Sequence, residues 1–172
     1  MNRSLVIETP RFLLRPFRQD DLDALSRLNA NPQVMRHLGS GRCLDRGETW
    51  RQIAMILGHA QLRGYSILAI EDRESGALLG RTGPFFPEGW PMLEVGWVVD
   101  PARQRQGIAT EVGRASIDWC FQNLGVDAVC SLIHPDNLAS ARVAEKLGAR
   151  IEDQVQIAGI SADLWVHRPR KK

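Results

Sequence analysis

The stretch VGWVVDPARQRQGIATEV, residues 95–112, decides the fold of this protein. Its first half is rich in β-branched and aromatic residues, which favour a strand, and Pro101 marks the end of that strand. A helical pattern then begins near Gly107. The first turn of a helix carries a partial positive charge and usually prefers Asp or Glu, yet Arg103 and Arg105 precede this one. The sequence therefore indicates that a negatively charged group belongs at this corner.

Small residues at the corner indicate which anion it suits. Gly107 has no side chain and Ala109 has only a methyl group, at the point where the first N–H groups of a helix lack partners. A pyrophosphate fits, because its oxygens can approach this backbone closely and the two arginines can neutralise its charge. A surface loop with solvated charges is the alternative, and this segment alone leaves both open. The P-loop and dinucleotide-binding glycine motifs are both absent from the sequence.

Length and composition describe one soluble domain over residues 1–172. The chain is 44% hydrophobic and 24% charged, and a net charge of +2 gives no reason to expect a nucleic-acid partner. Its three cysteines form no C-x-x-C pair, which favours a reducing compartment. Neither a signal peptide nor an apolar stretch of the roughly 20 residues that a membrane span needs is visible. We expect a cytoplasmic protein, monomeric or homodimeric, without a membrane partner.

Hydrophobic periodicity predicts seven strands and four helices in the order β α α β β β α β α β β. The strand candidates are 11–17, 65–72, 77–86, 92–100, 128–134, 150–158 and 161–168. The helix candidates are 19–31, 50–62, a segment from about Gly107 to 123–125, and 138–147, with Asp136 or Asn137 as the N-cap of the last.

The stretch quoted above resembles the acetyl-CoA-binding core of the GNAT N-acetyltransferases, whose signature is [RQ]-x-x-G-x-[GA] between a strand and a helix. Gln104, Gly107 and Ala109 fill that signature. The segment CSLIHPDNLASARVAEKLGAR, residues 130–150, resembles the next strand and helix of the same family. The segment ETPRFLLRPFRQDDLDALSRLNANPQV, residues 8–34, is similar to the start of the ribosomal-protein alanine acetyltransferases, the RimJ/RimL-like subgroup. The resemblance covers nearly the whole chain.

This resemblance implies an α/β (α+β) fold with a mixed, mostly antiparallel, twisted sheet of about seven strands and about four flanking helices. The fourth strand carries a bulge and splays from the fifth, which opens a cleft for acetyl-CoA. Pantetheine pairs with the main chain of the fourth strand, the pyrophosphate meets the corner amides, and an Asn after the fifth strand contacts the pantetheine arm. The implied cofactor-binding residues are Trp97, Val98, Val99, Gln104, Arg105, Gln106, Gly107, Ile108, Ala109, Asn137 and Ser140.

Transfer of an acetyl group to an amine needs a base for the ammonium, a donor for the developing oxyanion and an acid for the leaving thiolate. Glu94 is the candidate base, because it lies on the fourth strand just before the expected bulge. An ion pair on a solvated or helix-covered face is the alternative role for this glutamate. The main-chain N–H of Val98 is the expected oxyanion donor.

The acid is less obvious, because Ala144 occupies the position where many GNAT relatives have a tyrosine. Ser140, three residues after Asn137, matches a serine that the ribosomal-protein subgroup has been proposed to use as the acid. A serine in the first turn of a helix also commonly serves as a cap or faces solvent. His134 is a second candidate for proton relay, with local packing as its alternative role.

The expected activity is acetyl-CoA-dependent N-acetylation of a primary amine, either a protein N-terminus or a small molecule, by direct attack in a ternary complex. A noncatalytic acyl-CoA-binding sensor is the alternative, favoured by Ala144, and a basic interaction module is a further one. No metal is expected, because the four histidines share no ligand spacing with the cysteines. The aromatic residues that could line an acceptor site, or form core instead, are Phe85, Phe86, Trp90 and Trp97.

Overall fold

The computed structural model describes residues 5–157 and 159–169. These residues form one mixed sheet of eight strands, together with five α-helices. The strands are β1 (Ile7–Glu8), β2 (Phe12–Arg15), β3 (Leu68–Asp72), β4 (Leu78–Phe85), β5 (Glu94–Val99), β6 (Val129–Ile133), β7 (Arg150–Ile157) and β8 (Ile160–His167). The helices are α1 (Leu22–Asn29), α2 (Pro32–Met35), α3 (Arg46–Arg63), α4 (Ile108–Asn123) and α5 (Leu138–Lys146). None of these helices combines the length and low polarity that crossing a bilayer requires.

The seven predicted strands and four predicted helices are all present, and two short elements were missed. Strand β1 has only two residues and exists through pairing with β2, where Ile7 lies opposite Leu14. Helix α2 is a single turn that Asn31 caps by accepting a hydrogen bond from the N–H of Gln33. Neither is long enough to show a hydrophobic period. Ala158, the last residue of the predicted strand 150–158, lies outside the described residues.

Helix α3 begins earlier than predicted because of a local capping box. The side chain of Asp45 accepts a hydrogen bond from the N–H of Glu48 at 2.7 Å, and the Glu48 carboxylate accepts one from the N–H of Asp45 at 2.9 Å. This arrangement satisfies two otherwise unpaired donors at the helix N-terminus. The pattern D-x-x-E was visible in the sequence but preceded the hydrophobic stripe used to place the helix.

The sheet has the strand order β1-β2-β3-β4-β5-β6-β8-β7 and is antiparallel except between β5 and β6. Those two parallel strands share a single register pair, Glu94 opposite Cys130, and then diverge. The predicted splay between the fourth and fifth strands is thus confirmed. The predicted bulge is not found, because β5 keeps an unbroken register with β4 from Gly80 opposite Val99 to Phe85 opposite Glu94. The cleft opens on the β6 side alone, where backbone pairing stops.

A serine hydroxyl occupies the point where β5 and β6 separate. Ser131 Oγ on β6 donates to the main-chain carbonyl of Val95 on β5 at 2.7 Å, and it lies 3.0 Å from His167 Nε2. Since the hydroxyl has one proton, which it gives to Val95, the imidazole donates from Nε2 and carries no proton on Nδ1. Ser131 and His167 are both only 2% exposed. The pair satisfies a buried carbonyl that β6 no longer reaches with its backbone.

The two faces of the sheet are covered by different helices. On one face, Val95 and Val99 of β5 pack in clusters that include residues of α4 such as Ile117 and Ile108. On the other face, residues of α1 and α3 such as Leu25 and Ile56 pack against Ala69 of β3. Each such buried side chain contributes roughly 1.5–3 kcal/mol by leaving water. The fold thus holds the splayed strands between two fixed layers.

Replacement of His167 by Gln should remove a pH-dependent loss of stability. Burial, aided by the charge of Arg114, lowers the pKa of His167 to about 4. Its unfolded pKa is near 6.5, so the unfolded chain takes up the proton first and stability falls as pH drops from about 6.5 toward 4. Urea unfolding between pH 7 and pH 5 should show the wild type losing about 2 kcal/mol more than His167→Gln. His134→Gln, at a more exposed ring, is the matched control. Parallel pH profiles for the wild type and His167→Gln would contradict this assignment.

Candidate functional site

The corner between β5 and α4 is open and presents unpaired main-chain donors. Gly107 has a left-handed φ of +77° and directly precedes α4, which begins at Ile108 as predicted. Residues 104–107 are exposed. Within the described part of the chain, the N–H groups of residues 105–110 donate to no protein acceptor, and the first bond of the helix runs from Glu111 N to Gly107 O. Such a set of amides is suited to an anion.

Side chains around the corner fix its position and charge. Gln104 Nε2 donates to the carbonyl of Val99 at 3.1 Å, which ties the corner to the end of β5. Arg103 forms an ion pair with Asp72 at 3.0 Å, so its charge is directed away from the corner. Arg105 is exposed and, among the described residues, has no ion-pair partner. Of the two arginines in the motif, Arg105 is the one free to meet an anion.

Arg11 is a corner residue that sequence analysis missed. Its Nη1 donates to the carbonyl of Gln106 at 3.0 Å, and its Nε contacts Glu111 at 2.7 Å. A Cβ added to Gly107 would lie 3.6 Å from Arg11 Nη2. Nearly half of the Arg11 side chain remains exposed. No local signal could have revealed it, because Arg11 lies far away in sequence and is brought here by the packing of β1 and β2 beside α4.

The main chain of β5 presents Trp97, not Val98, to the cleft. Val95 directs its carbonyl at Ser131 on β6, whereas the Val98 carbonyl points at β4, where it lies 1.9 Å from the position of a Cβ on Gly80. Since successive residues of a strand point their N–H and C=O groups to opposite sides, the N–H of Trp97 faces the splay. The prediction of Val98 as the oxyanion donor is therefore wrong, because its amide faces the β4 ladder.

A cavity of about 260 Å³ lies where the splayed strands meet α3 and the start of α5. Predicted site residues from three separate segments share it, namely Glu94 and Val98 of β5, His134 after β6, and Asn137 and Ser140 at α5. Of the four aromatic candidates, Phe85, Trp90 and Trp97 contribute to its lining, and Phe85 and Trp90 stack edge to face with ring centroids 5.8 Å apart.

The rings of Trp97 and Phe86 pack against the core. Trp97 packs its ring under α4, so closely that a Cβ on Gly113 would lie 3.2 Å from Trp97 Cε3. Phe86 joins the core cluster that contains Tyr65, and its N–H donates to His59 Nε2 at 3.2 Å. Trp97 can therefore contribute to the cleft only through its main chain.

Glu94 is held in the cavity as a carboxylate with an elevated proton affinity. Trp90 Nε1 donates to Glu94 Oε2 at 2.7 Å. Burial raises the pKa of Glu94 above its ordinary value, and this effect outweighs the opposing effects of the indole, the Arg81 charge and the Leu132 N–H. No cation lies within 4 Å of it among the described side chains. The predicted alternative role in an ion pair is therefore not realised, and the raised pKa makes the group better suited to accept a proton.

Asn137 and Ser140 together begin α5. Asn137 Oδ1 accepts a hydrogen bond from the N–H of Ser140 at 3.2 Å, so Asn137 is the N-cap residue. Its Nδ2 and the hydroxyl of Ser140 donate to no group in the described part of the protein, and both residues line the cavity. The cap therefore leaves one amide donor and one hydroxyl available.

Two other candidates have lesser roles. His134 Nδ1 accepts a hydrogen bond from the N–H of Asp136 at 3.2 Å, which is the local contact expected as its alternative role, and its ring lies 5.1 Å from that of His37. Burial raises the pKa of the Cys130 thiol, so this cysteine stays protonated and is a poor nucleophile. Over residues 5–157 and 159–169, no three His, Cys, Asp or Glu residues are grouped as a metal site.

Comparison with known proteins agrees with this geometry. The model of the acetyltransferase (GNAT) domain matches residues 11–150. The N-acetyltransferase YoaA of Bacillus subtilis, itself uncharacterized, is 30% identical over 153 residues, which are 86% of this chain and 84% of that protein. The acetyltransferase from Agrobacterium tumefaciens str. C58 superposes with a TM-score of 0.86 at 26% identity, covering 97% of this chain and 96% of that one.

The ribosomal-protein acetyltransferases share the same fold. RimL, solved in complex with coenzyme A, superposes with a TM-score of 0.79 at 18% identity, covering 95% of this chain and 98% of that one. The matched domain spans the open corner, the splayed strands and the cavity described above. The chain belongs to the GNAT family of acetyltransferases.

Proposed function

We propose that this protein transfers an acetyl group from acetyl-CoA to a primary amine by direct attack within a ternary complex. The observation that carries the proposal is the splay between β5 and β6, which joins an open corner of unpaired amides to a cavity containing a proton-accepting carboxylate. The open corner and the cavity both lie within residues 11–150, which match the acetyltransferase (GNAT) domain.

The corner suits the pyrophosphate of the cofactor. The N–H groups of residues 105–110 supply donors, Arg11 and Arg105 supply charge, and the left-handed Gly107 keeps the approach clear of side chains. RimL, a protein of the same fold, was solved with coenzyme A. The pantetheine arm would then run along the main chain at Trp97 to Val99, with the free Nδ2 of Asn137 on the opposite wall.

The chemistry can be distributed over groups that face the cleft. Acetyl-CoA supplies the acyl carbonyl and a thiolate leaving group. Glu94 accepts a proton from the ammonium of the acceptor, the N–H of Trp97 stabilises negative charge on the carbonyl oxygen, and the Ser140 hydroxyl donates to the sulfur. No protein nucleophile is required, which agrees with the protonated state of Cys130.

A noncatalytic acyl-CoA-binding sensor is the second candidate, and Ala144 favours it. This residue is fully buried beside Ile133 and Trp165. Its methyl side chain has no proton to give to a thiolate. Thiol release in the presence of acetyl-CoA and broad panels of amines and peptides separates the two functions. Release supports the enzyme, whereas acetyl-CoA binding by calorimetry without any release supports the sensor. A plain interaction module would show no acetyl-CoA binding.

Gly107→Glu should abolish acetyl-CoA binding. The new carboxylate would place a negative charge at the amides that receive the pyrophosphate, and affinity measured by isothermal titration calorimetry should fall by more than about tenfold. Gly125→Glu is a matched control, because Gly125 also has positive φ and open space but lies at the far end of α4. Undiminished affinity in a folded Gly107→Glu protein would move the cofactor elsewhere.

Glu94→Gln should remove the acidic limb of the pH–rate profile. The base acts only when it is deprotonated, so wild-type kcat/KM should rise with pH through the raised pKa of Glu94. The variant should lose about 10²–10⁴-fold in rate, with little pH dependence in that range. Glu88→Gln, at a fully exposed side chain of the neighbouring loop, is the control. A variant that keeps the wild-type profile would show that another group is the base.

Ser140→Ala should lower turnover more than cofactor affinity. Loss of an acid that acts only on the leaving thiolate lowers kcat and kcat/KM equally and leaves the acetyl-CoA Kd unchanged, whereas loss of a binding contact raises that Kd. Steady-state kinetics and calorimetry on the same preparation measure both. Equal losses in kcat and in affinity would identify Ser140 as a binding residue instead.

A further inference from the structure

The cavity contains a cation that forms no direct ion pair with the described part of the protein. The titratable side chains in its lining are those of Arg81 on β4, Glu94, His37 and His134. Among the described residues, Arg81 forms no hydrogen bond and no ion pair within 4 Å, and its Nε is buried without a partner. Glu94 instead binds the indole of Trp90. The guanidinium therefore faces the cavity with its donors unused.

A fully buried arginine of the same sheet has partners within the protein. Arg15 of β2 is 5% exposed, and it forms a bidentate pair with Asp21 at 2.7 and 2.8 Å and a further contact with Glu71. A guanidinium withdrawn from water is normally compensated in this way, because it has five donors and a charge that lose their hydration. Arg81 is half-buried, and its Nε is withdrawn from solvent without such a partner, which points to an anionic partner outside the protein.

The space between Arg81 and Glu94 is shaped for a small molecule. In the ladder, Arg81 lies opposite Val98 and Glu94 lies opposite Phe85. The pair between them on the same face of the sheet is Gly83 opposite Gly96. Two glycines leave the floor of the cavity without side chains. The charged positions lie about 13 Å apart along the strand at Cα, and both side chains project into the same cavity. At about 260 Å³, this cavity is smaller than those that hold drug-sized ligands.

The cofactor does not account for this cation. Trp97 and Val99 pack their side chains toward α4, so Arg81 and Glu94, which line the cavity, lie on the opposite face of the sheet. The corner that suits the pyrophosphate is at the N-terminus of α4. Arg81 is thus available to the acceptor and not to the phosphates.

We propose that the acceptor is a small amine that also carries a carboxylate, an amino acid or a close analogue, with the carboxylate bound by Arg81 and the ammonium directed to Glu94. This inference rests on the proposed acetyltransferase function and names the substrate class of the same site. A guanidinium matches a carboxylate with two parallel hydrogen bonds, which gives orientation as well as affinity. The N-terminus of a protein would bring no α-carboxylate to this position, because that carboxyl group is part of the first peptide bond.

The test compares L-amino acids with their primary amides, which differ only in the carboxylate. Thiol release is measured for the wild type, for Arg81→Met, and for Arg150→Met at an exposed position of β7 as the control. The wild type and the control should prefer the acids by at least about tenfold in kcat/KM. Arg81→Met should lose that preference because kcat/KM for the acids falls. Its kcat/KM for the amides should stay within about twofold of the wild-type value, and its acetyl-CoA Kd should be unchanged. In the presence of coenzyme A, amino acids but not their amides should raise the melting temperature of the wild type. That result supports the same conclusion without a variant.

Three results would overturn the inference while leaving the acetyltransferase in place. In the first, the wild type turns over acids and amides equally. In the second, Arg81→Met loses kcat/KM equally for acids and amides. In the third, that variant loses affinity for acetyl-CoA. Turnover of peptides with free N-termini in preference to all amino acids would likewise assign the cavity to protein acceptors. Binding of acetyl-CoA without release on any amine or peptide would instead overturn the proposed function, and the inference with it.

Discussion

The structure depends on one hydrogen bond that replaces a strand pairing. Where β6 leaves β5, the hydroxyl of Ser131 donates a hydrogen bond to the Val95 carbonyl, which a backbone N–H would otherwise satisfy. His167 contacts the same hydroxyl and orients it. A buried carbonyl without a partner would oppose the splay. With the serine present, the sheet can open while its β4–β5 ladder stays complete. The cleft is therefore a stable feature of the fold.

This opening connects two environments of opposite character. The corner at the start of α4 is exposed and rich in main-chain donors, which suits a large anion that arrives from solvent. The cavity on the other face is bordered by α3, where burial raises the pKa of Glu94 and the Nε of Arg81 has no partner among the described residues. A donor held at the corner and an acceptor held in the cavity would meet at the N–H of Trp97. Under the proposed function, transfer would take place at the boundary between the two layers of the fold.

Much of the fold and part of the site could be predicted locally. The glycine at the helix start, the asparagine cap of α5 and the period of each strand depend on neighbours within a few residues, and the structure has all three. The expected bulge and the Val98 donor failed for one reason. Both required knowledge of which strand pairs with which side of β5, and the regular register with β4 decides that question. Two short elements, β1 and α2, have too few residues to form a pattern.

The sequence by itself determined the order of the seven longer strands and four longer helices, the open corner at Gly107 and the choice of Glu94, Asn137 and Ser140 as candidate site residues. Only the tertiary structure decided that Arg11 supports the corner, that Trp97 turns its main chain and not its ring to the cleft, and that Arg81 shares a cavity with Glu94. The physical reason is that a strand residue's surroundings are set by register and by the helices on each face. Those are contacts between segments distant in the chain, and no local pattern encodes them.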